Sequence, residues 1–175
     1  YAVVPLQYGV LLYYLWAVSK GQMDWLSFVG ATWSVGITCG VFGINVGHEL
    51  GHRKKKSEQW MAKSLLLTSL YMHFFIEHNK GHHKRVATPE DPASARINES
   101  VYSFWFRSTI RGYLSAWEIE NDRLQRKGFF WLTWRNEMLQ YHVIQIAAIA
   151  SVYAIFGTTA TFAWLATATI GFLLL

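Results

Sequence analysis

The sequence predicts an all-α fold: an integral-membrane helical bundle of four transmembrane helices in two hairpins, with a cytoplasmic histidine-rich helical region between them. Three observations predict it. The 175 residues are 52% apolar and 17% aromatic but only 15% charged, where soluble domains carry about a quarter charged residues. All the Lys and Arg except Lys20 fall between Arg53 and Arg135. Three long stretches hold no Asp, Glu, Lys or Arg: Tyr1 to Ser19, Trp25 to Gly47 and Met138 to Leu175.

Each element follows from these stretches. A helix needs roughly 20 apolar residues to cross about 30 Å of hydrocarbon. Residues 1–19 suffice for a first span, and they lack the basic start and small-residue cleavage site of a signal peptide. Lys20 to Asp24 makes a short turn whose charges cancel, and residues 25–47 make a second span. The last stretch is long enough for two, 137–156 and 159–175, with Gly157-Thr158-Thr159 as the turn. A soluble helical core is the poorer account, because a core helix is rarely free of charge for so long. The aromatics near the run ends (Tyr13, Tyr14, Trp16, Trp25, Trp131, Trp134) fit an interfacial belt. One cysteine, Cys39, excludes a disulfide framework. Disorder and a nucleic-acid-binding tail are poor readings despite the net charge of +5, because so few of the residues are charged.

The positive-inside rule puts that basic section, residues 48–135, in the cytoplasm. Trp60 to Ile76 is apolar enough to pass for a fifth span. Crossing would strand Arg53-Lys54-Lys55-Lys56 and Lys84-Arg85 on opposite sides, so it is expected as one helix lying against the cytoplasmic face or packed partway into the bundle. Val101 to Trp117 carries aromatics and arginines at helical spacing and is expected at the interface. Arg107, Arg111, Arg123, Arg126 and Lys127 could face an acidic carrier protein, or more often anionic lipid.

Five of the seven histidines form two groups. His48-Glu49-Leu50-Gly51-His52 closes the second span, and Glu77-His78-Asn79-Lys80-Gly81-His82-His83 lies further on. On an α-helix, i,i+4 spacing puts His48 with His52 on one face and His78 with His82 on another, and His83 adds an imidazole beside them. Paired imidazoles on one helical face are metal ligands in waiting. The first group alone matches H-E-x-x-H, with Glu49 as the general base of a zinc protease. A single zinc needs only three protein ligands, however. Five imidazoles in two groups point more simply to two metals. Glu49, Glu77 and Asn79 are candidates to orient the rings, and His73, four residues before Glu77, could hold its carboxylate. His142, isolated on an apolar helix, is expected to be a packing residue.

These motifs resemble the integral-membrane di-iron hydroxylases and desaturases, and within them the bacterial alkane 1-monooxygenases. Gly47 to Lys54 resembles their first histidine box and Phe75 to His83 their second. Val86 to Ala93, Asn98-Glu99-Ser100, Ala116-Trp117 and Arg123-Leu124 continue the likeness. The resemblance implies two non-haem iron ions, with His48, His52, His78, His82 and His83 among their ligands. It implies hydroxylation of the terminal methyl of medium- or long-chain alkanes by molecular oxygen. Electrons would come from rubredoxin and its reductase, in a multi-pass protein of the bacterial inner membrane with its boxes facing the cytoplasm. The family's E-H-Y-G element and H-S-D-H-H box do not occur here, so the chain reads as a fragment of one membrane-embedded catalytic domain. A xylene-type monooxygenase or a fatty acid desaturase is the near rival, and an intramembrane zinc protease the rival from another class.

Overall fold

The computed structural model describes residues 1–174, and the fold is all-helical, with no strand among the described residues. The last residue of the expected fourth span, Leu175, lies outside them. In chain order the elements are α1 (Val3–Ser19), α2 (Trp25–Thr38), the π-helix π1 (Cys39–Ile44) and α3 (Asn45–Gly51). There follow α4 (Lys56–Thr68), α5 (Phe74–Ile76), π2 (Glu77–His82), α6 (His83–Arg85), α7 (Val101–Gln125) and α8 (Glu137–Leu173). They divide into two compact units, Tyr1–Met72 with Ile144–Leu175, and His73–Val143.

The first unit holds the apolar helices. Asp24 caps α2 by accepting the Ser27 N–H at 3.0 Å, and helix then runs without interruption from Trp25 to Gly51. That run and Glu137–Leu173 are the two helices among the described residues long and apolar enough to cross a membrane, and α1 is a shorter apolar helix. The core packs Leu11, Tyr14, Leu15 and Val18 of α1 against Val35 and Cys39, and against Ala160, Ala163 and Trp164 of α8. Buried polar groups are matched inside it. Tyr14 Oη lies 2.6 Å from Thr32 Oγ1, and the Trp164 indole N–H donates to the Thr68 carbonyl at 2.9 Å. Such pairing is what a low-dielectric interior requires.

α8 departs from helical geometry at Gly157 (φ 82°, ψ −178°), within the triplet expected to turn. Ala148, Ile149, Val152 and Phe156 before the break pack on the same core as Ala160 and Trp164 after it. Large apolar side chains elsewhere on α8, including Ile146, Tyr153, Ile155 and Phe162, are exposed, as lipid-facing residues are.

The single helix expected over Trp60 to Ile76 is broken. α4 closes in a Schellman turn, with Leu70 N–H to Leu67 O and Tyr71 N–H to Leu66 O both at 3.0 Å. Leu70 takes the left-handed position (φ 51°), at a cost of roughly 1–2 kcal/mol for a residue with a Cβ. Apolar patterning carries no sign of such a turn, because no Gly or Asn marks it.

The second unit comprises α5, π2, α6, the loop 86–100, α7 and the start of α8. Ser100 caps α7, accepting the Ser103 N–H at 3.2 Å. The helix continues to Gln125, about two turns beyond the expected amphipathic stretch at about 3.6 residues per turn.

Candidate metal centre

In the first unit, α3 carries His48 on its last full turn and ends with His52 as its C-cap. Their ring centroids are 4.7 Å apart, edge to face at 75°. Leu50 and Gly51 between them are buried while His52 is exposed, so the box ends at a surface.

The second box is built differently from the sequence expectation. It lies in a π-helix, Glu77–His82, where i,i+5 neighbours replace i,i+4 ones. His78 therefore meets His83, with their Nε2 atoms 3.0 Å apart. Two nitrogens held about 2.1 Å from one ion at a right angle would be about 3 Å apart. The His82 ring stacks on His78 at 5.3 Å between centroids but turns its Nδ1 to Asp91 Oδ2 at 2.9 Å. A carboxylate accepts, so Nδ1 carries the proton and Nε2 keeps its lone pair for a ligand. Among the described residues, His48 and His52 in one unit and His78 and His83 in the other also offer imidazole nitrogens to a metal ion.

Asp91 is 1% exposed and has a full set of donors: His82 Nδ1, the Ser94 hydroxyl at 2.6 Å and the Ala93 N–H at 3.1 Å. Burial alone would raise its pKa, but the bonds from Ser94, Ala93 and His82 together hold it below the ordinary carboxylate value. The loop bearing it is tied down by Arg107. That guanidinium grips Glu99 with two bonds of 2.6 Å and donates to the carbonyls of Pro92 (3.1 Å) and Ser94 (2.9 Å). The Arg107 hydrogen bonds bring Glu99 down to about 2.

Arg107 is thus an internal clamp, which corrects its expected place on a basic surface. Arg123 is likewise committed, to the fully buried Glu120 (2.7 and 2.6 Å) and the Arg135 carbonyl (2.7 Å). A buried carboxylate must be paired. Arg111, Arg126 and Lys127 are exposed.

The proposed orienting residues fare unequally. Glu77 is 5% exposed; burial raises its pKa and the Arg85 charge offsets part of that. It lies 3.5 Å from Arg85 Nη2 and 3.4 Å from the Ser115 hydroxyl. The Asn79 amide donates to the Phe75 carbonyl at 2.8 Å, which secures the π turn from inside. Glu49 is exposed. His142 donates from Nδ1 to the Met138 carbonyl (2.6 Å) and faces the Tyr113 hydroxyl through Nε2 (2.8 Å), the arrangement of a packing residue. Sequence reasoning missed Asp91 and its clamp. The available signal was an acid between Pro89 and Pro92, nine residues beyond His82.

His73 lies edge-on to Tyr113, ring centroids 5.3 Å apart. Burial, reinforced by the charge of His142, lowers its pKa from 6.5 to about 4. The unfolded chain therefore takes up this proton first, so the stability contributed by neutral His73 is full above pH 6.5. It is lost as pH falls towards 4, at up to about 1.4 kcal/mol per pH unit. Thermal melts of wild type and His73→Phe across pH 7 to 4 are expected to show the steeper acid loss in wild type. Equal slopes would refute it.

Two histidine boxes, one on an α-helical and one on a π-helical turn, in a chain with two helices long and apolar enough to cross a membrane, define a histidine-box membrane protein. The chain belongs to the fatty acid desaturase family, whose model matches residues 23–175. It is 43% identical over 157 residues to the alkane 1-monooxygenase of Ectopseudomonas oleovorans, covering 90% of this chain and 39% of that one. Alkane 1-monooxygenase 1 of Alcanivorax borkumensis is 42% identical over the same length, again 90% of this chain and 39% of the relative. The xylene/toluene monooxygenase hydroxylase component of Pseudomonas putida is 28% identical over 150 residues, 84% of this chain and 41% of that one. The chain spans about two fifths of the length of the relatives it matches.

Proposed function

We propose that the protein containing this chain is a non-haem di-iron monooxygenase that hydroxylates the terminal methyl of medium- or long-chain alkanes. The single observation that carries this is the likeness to alkane 1-monooxygenases along nine tenths of the chain, both histidine boxes included. The donor set fits iron. His48, His52, His78 and His83 offer imidazole nitrogens, and His82 offers a fifth through Nε2. Thiolates and clustered carboxylates, which would favour other metals, are missing from the set.

Iron, when bound, supplies the oxygen chemistry that an unpolarised C–H bond demands. The chain's own residues do the rest. The two boxes present the ligands, Asp91 and Glu77 stand behind the second, and the exposed apolar helices give an alkane a route from lipid. Rubredoxin, supplied by its reductase, is the proposed electron donor. The lower identity to the xylene/toluene enzyme makes an alkane the better substrate. Excess ligands over what one zinc needs disfavour the protease.

We place four spans, 1–19, 25–47, 137–156 and 159–175, in the bacterial inner membrane, around residues 48–135 in the cytoplasm. The break at Gly157, with both limbs on one core, supports the second hairpin. Single-cysteine labelling at Ser57 and Lys84 is expected to report the same side, and opposite sides would mean an odd crossing between the boxes. For the activity, iron content and oxygen-dependent conversion of octane to 1-octanol are the decisive measurements. Zinc with peptide cleavage would overturn the assignment.

A further inference from the structure

A histidine that binds a metal through one nitrogen needs its other nitrogen held, or the ring can turn and present the wrong tautomer. His82 has such a hold: its Nδ1 lies 2.9 Å from the buried carboxylate of Asp91. Asp91 is itself fixed on every side. Its oxygens accept from the Ala93 N–H and the Ser94 hydroxyl, and the flanking carbonyls of Pro92 and Ser94 are both held by Arg107. Arg107 is anchored in turn by its two bonds to Glu99. The chain of contacts runs from a helix residue, through a loop, to one imidazole nitrogen.

We propose that Asp91, locked by the Arg107–Glu99 clamp, is a positioning residue that makes Nε2 of His82 the metal-binding nitrogen. This rests on the reading of His82 as an iron ligand given above. The loop is otherwise hard to explain. It has no regular structure from Val86 to Ser100 beyond turns, yet it buries a carboxylate and commits two arginine bonds to holding that carboxylate's neighbours. A loop needed only to connect α6 to α7 would need neither.

The test uses the full-length protein, purified iron-free and titrated with Fe(II) alone, with helix content and melting temperature recorded for every variant. Asp91→Asn is expected to weaken Fe(II) binding by about 10–100-fold with the helices intact, as loss of such a partner typically does. Thr88→Ala, in the same loop but with its hydroxyl on the Arg85 carbonyl rather than on Asp91, is expected to bind as wild type. His82→Gly opens a ring-sized space beside Asp91. Free imidazole is expected to restore Fe(II) binding to His82→Gly but not to His82→Gly/Asp91→Asn, an outcome that a merely structural aspartate would not produce.

Wild-type binding by Asp91→Asn, or equal imidazole rescue with and without Asp91, would overturn the positioning role while leaving the ligand set standing. Wild-type binding by His82→Gly without imidazole would remove His82 from the ligands, and the proposal with it. Should Asp91→Asn fail to fold, Arg107→Lys carries the test. It shortens the clamp without touching the carboxylate, and iron binding unchanged there would count against the proposal.

Discussion

His83→Ala in the full-length protein is expected to abolish iron binding and alkane hydroxylation while the protein still inserts and folds. The reason is the π turn. His83 Nε2 is the nitrogen that faces His78 Nε2 at 3.0 Å, so its loss removes half of the pair that the second box presents. A ligand set has no spare for a missing imidazole, and the loss should be nearly complete rather than graded. His142→Ala is the matched control. It breaks the bonds to Met138 and Tyr113, each worth about 1 kcal/mol, and should keep full iron. Iron per chain and octane turnover on the two variants decide the matter. Full iron in His83→Ala would end its role as a ligand, and iron loss in His142→Ala would show that α8 contributes to the metal site.

The helical architecture was legible because burial in lipid leaves a simple trace, long runs without charge. Gly157 was legible as a break for the same kind of reason, since a glycine midway in so long an apolar run is where a helix most easily departs from its geometry. The first pair of histidines was legible, since His48 meets His52 as α-helical spacing predicts, but the geometry of the second group was not. Spacing was converted to faces on the assumption of 3.6 residues per turn, which links His78 to His82. The π segment Glu77–His82 widens the turn and brings His83 Nε2 to His78 Nε2 as well, with the His82 ring still stacked on His78. Nothing in a run of polar residues announces that change of pitch. The Asp91 loop was hidden for a different reason. Its logic is long-range: Arg107 comes eight residues after Glu99 and fifteen after Pro92, and on the helix alone it looks like one more surface cation.

The largest effect on the fold itself is expected from one methyl group. A Cβ added at Gly40 would lie 2.7 Å from the carbonyl oxygen of Gly171, and one at Gly36 would lie 2.7 Å from the Ile170 side chain. Gly36 and Gly40 are four residues apart, the small-xxx-small spacing that lets two membrane helices meet backbone to backbone. At Gly36 a side chain could shift; at Gly40 the obstacle is backbone and cannot. Overpacking of this kind costs typically about 1–3 kcal/mol, and Gly40→Val should exceed Gly40→Ala. The clash falls at the start of π1, on the same unbroken helical run that ends in His48 and His52, so movement there would be carried towards the first box. Gly40→Ala is expected to lower the melting temperature of the detergent-solubilised protein, and Gly40→Val to lower it further with loss of iron. Gly30→Ala, on the same helical run with nothing within 4 Å of its added Cβ, should do neither. Gly40 variants that melt with wild type would mean that this helix contact is not maintained in the membrane.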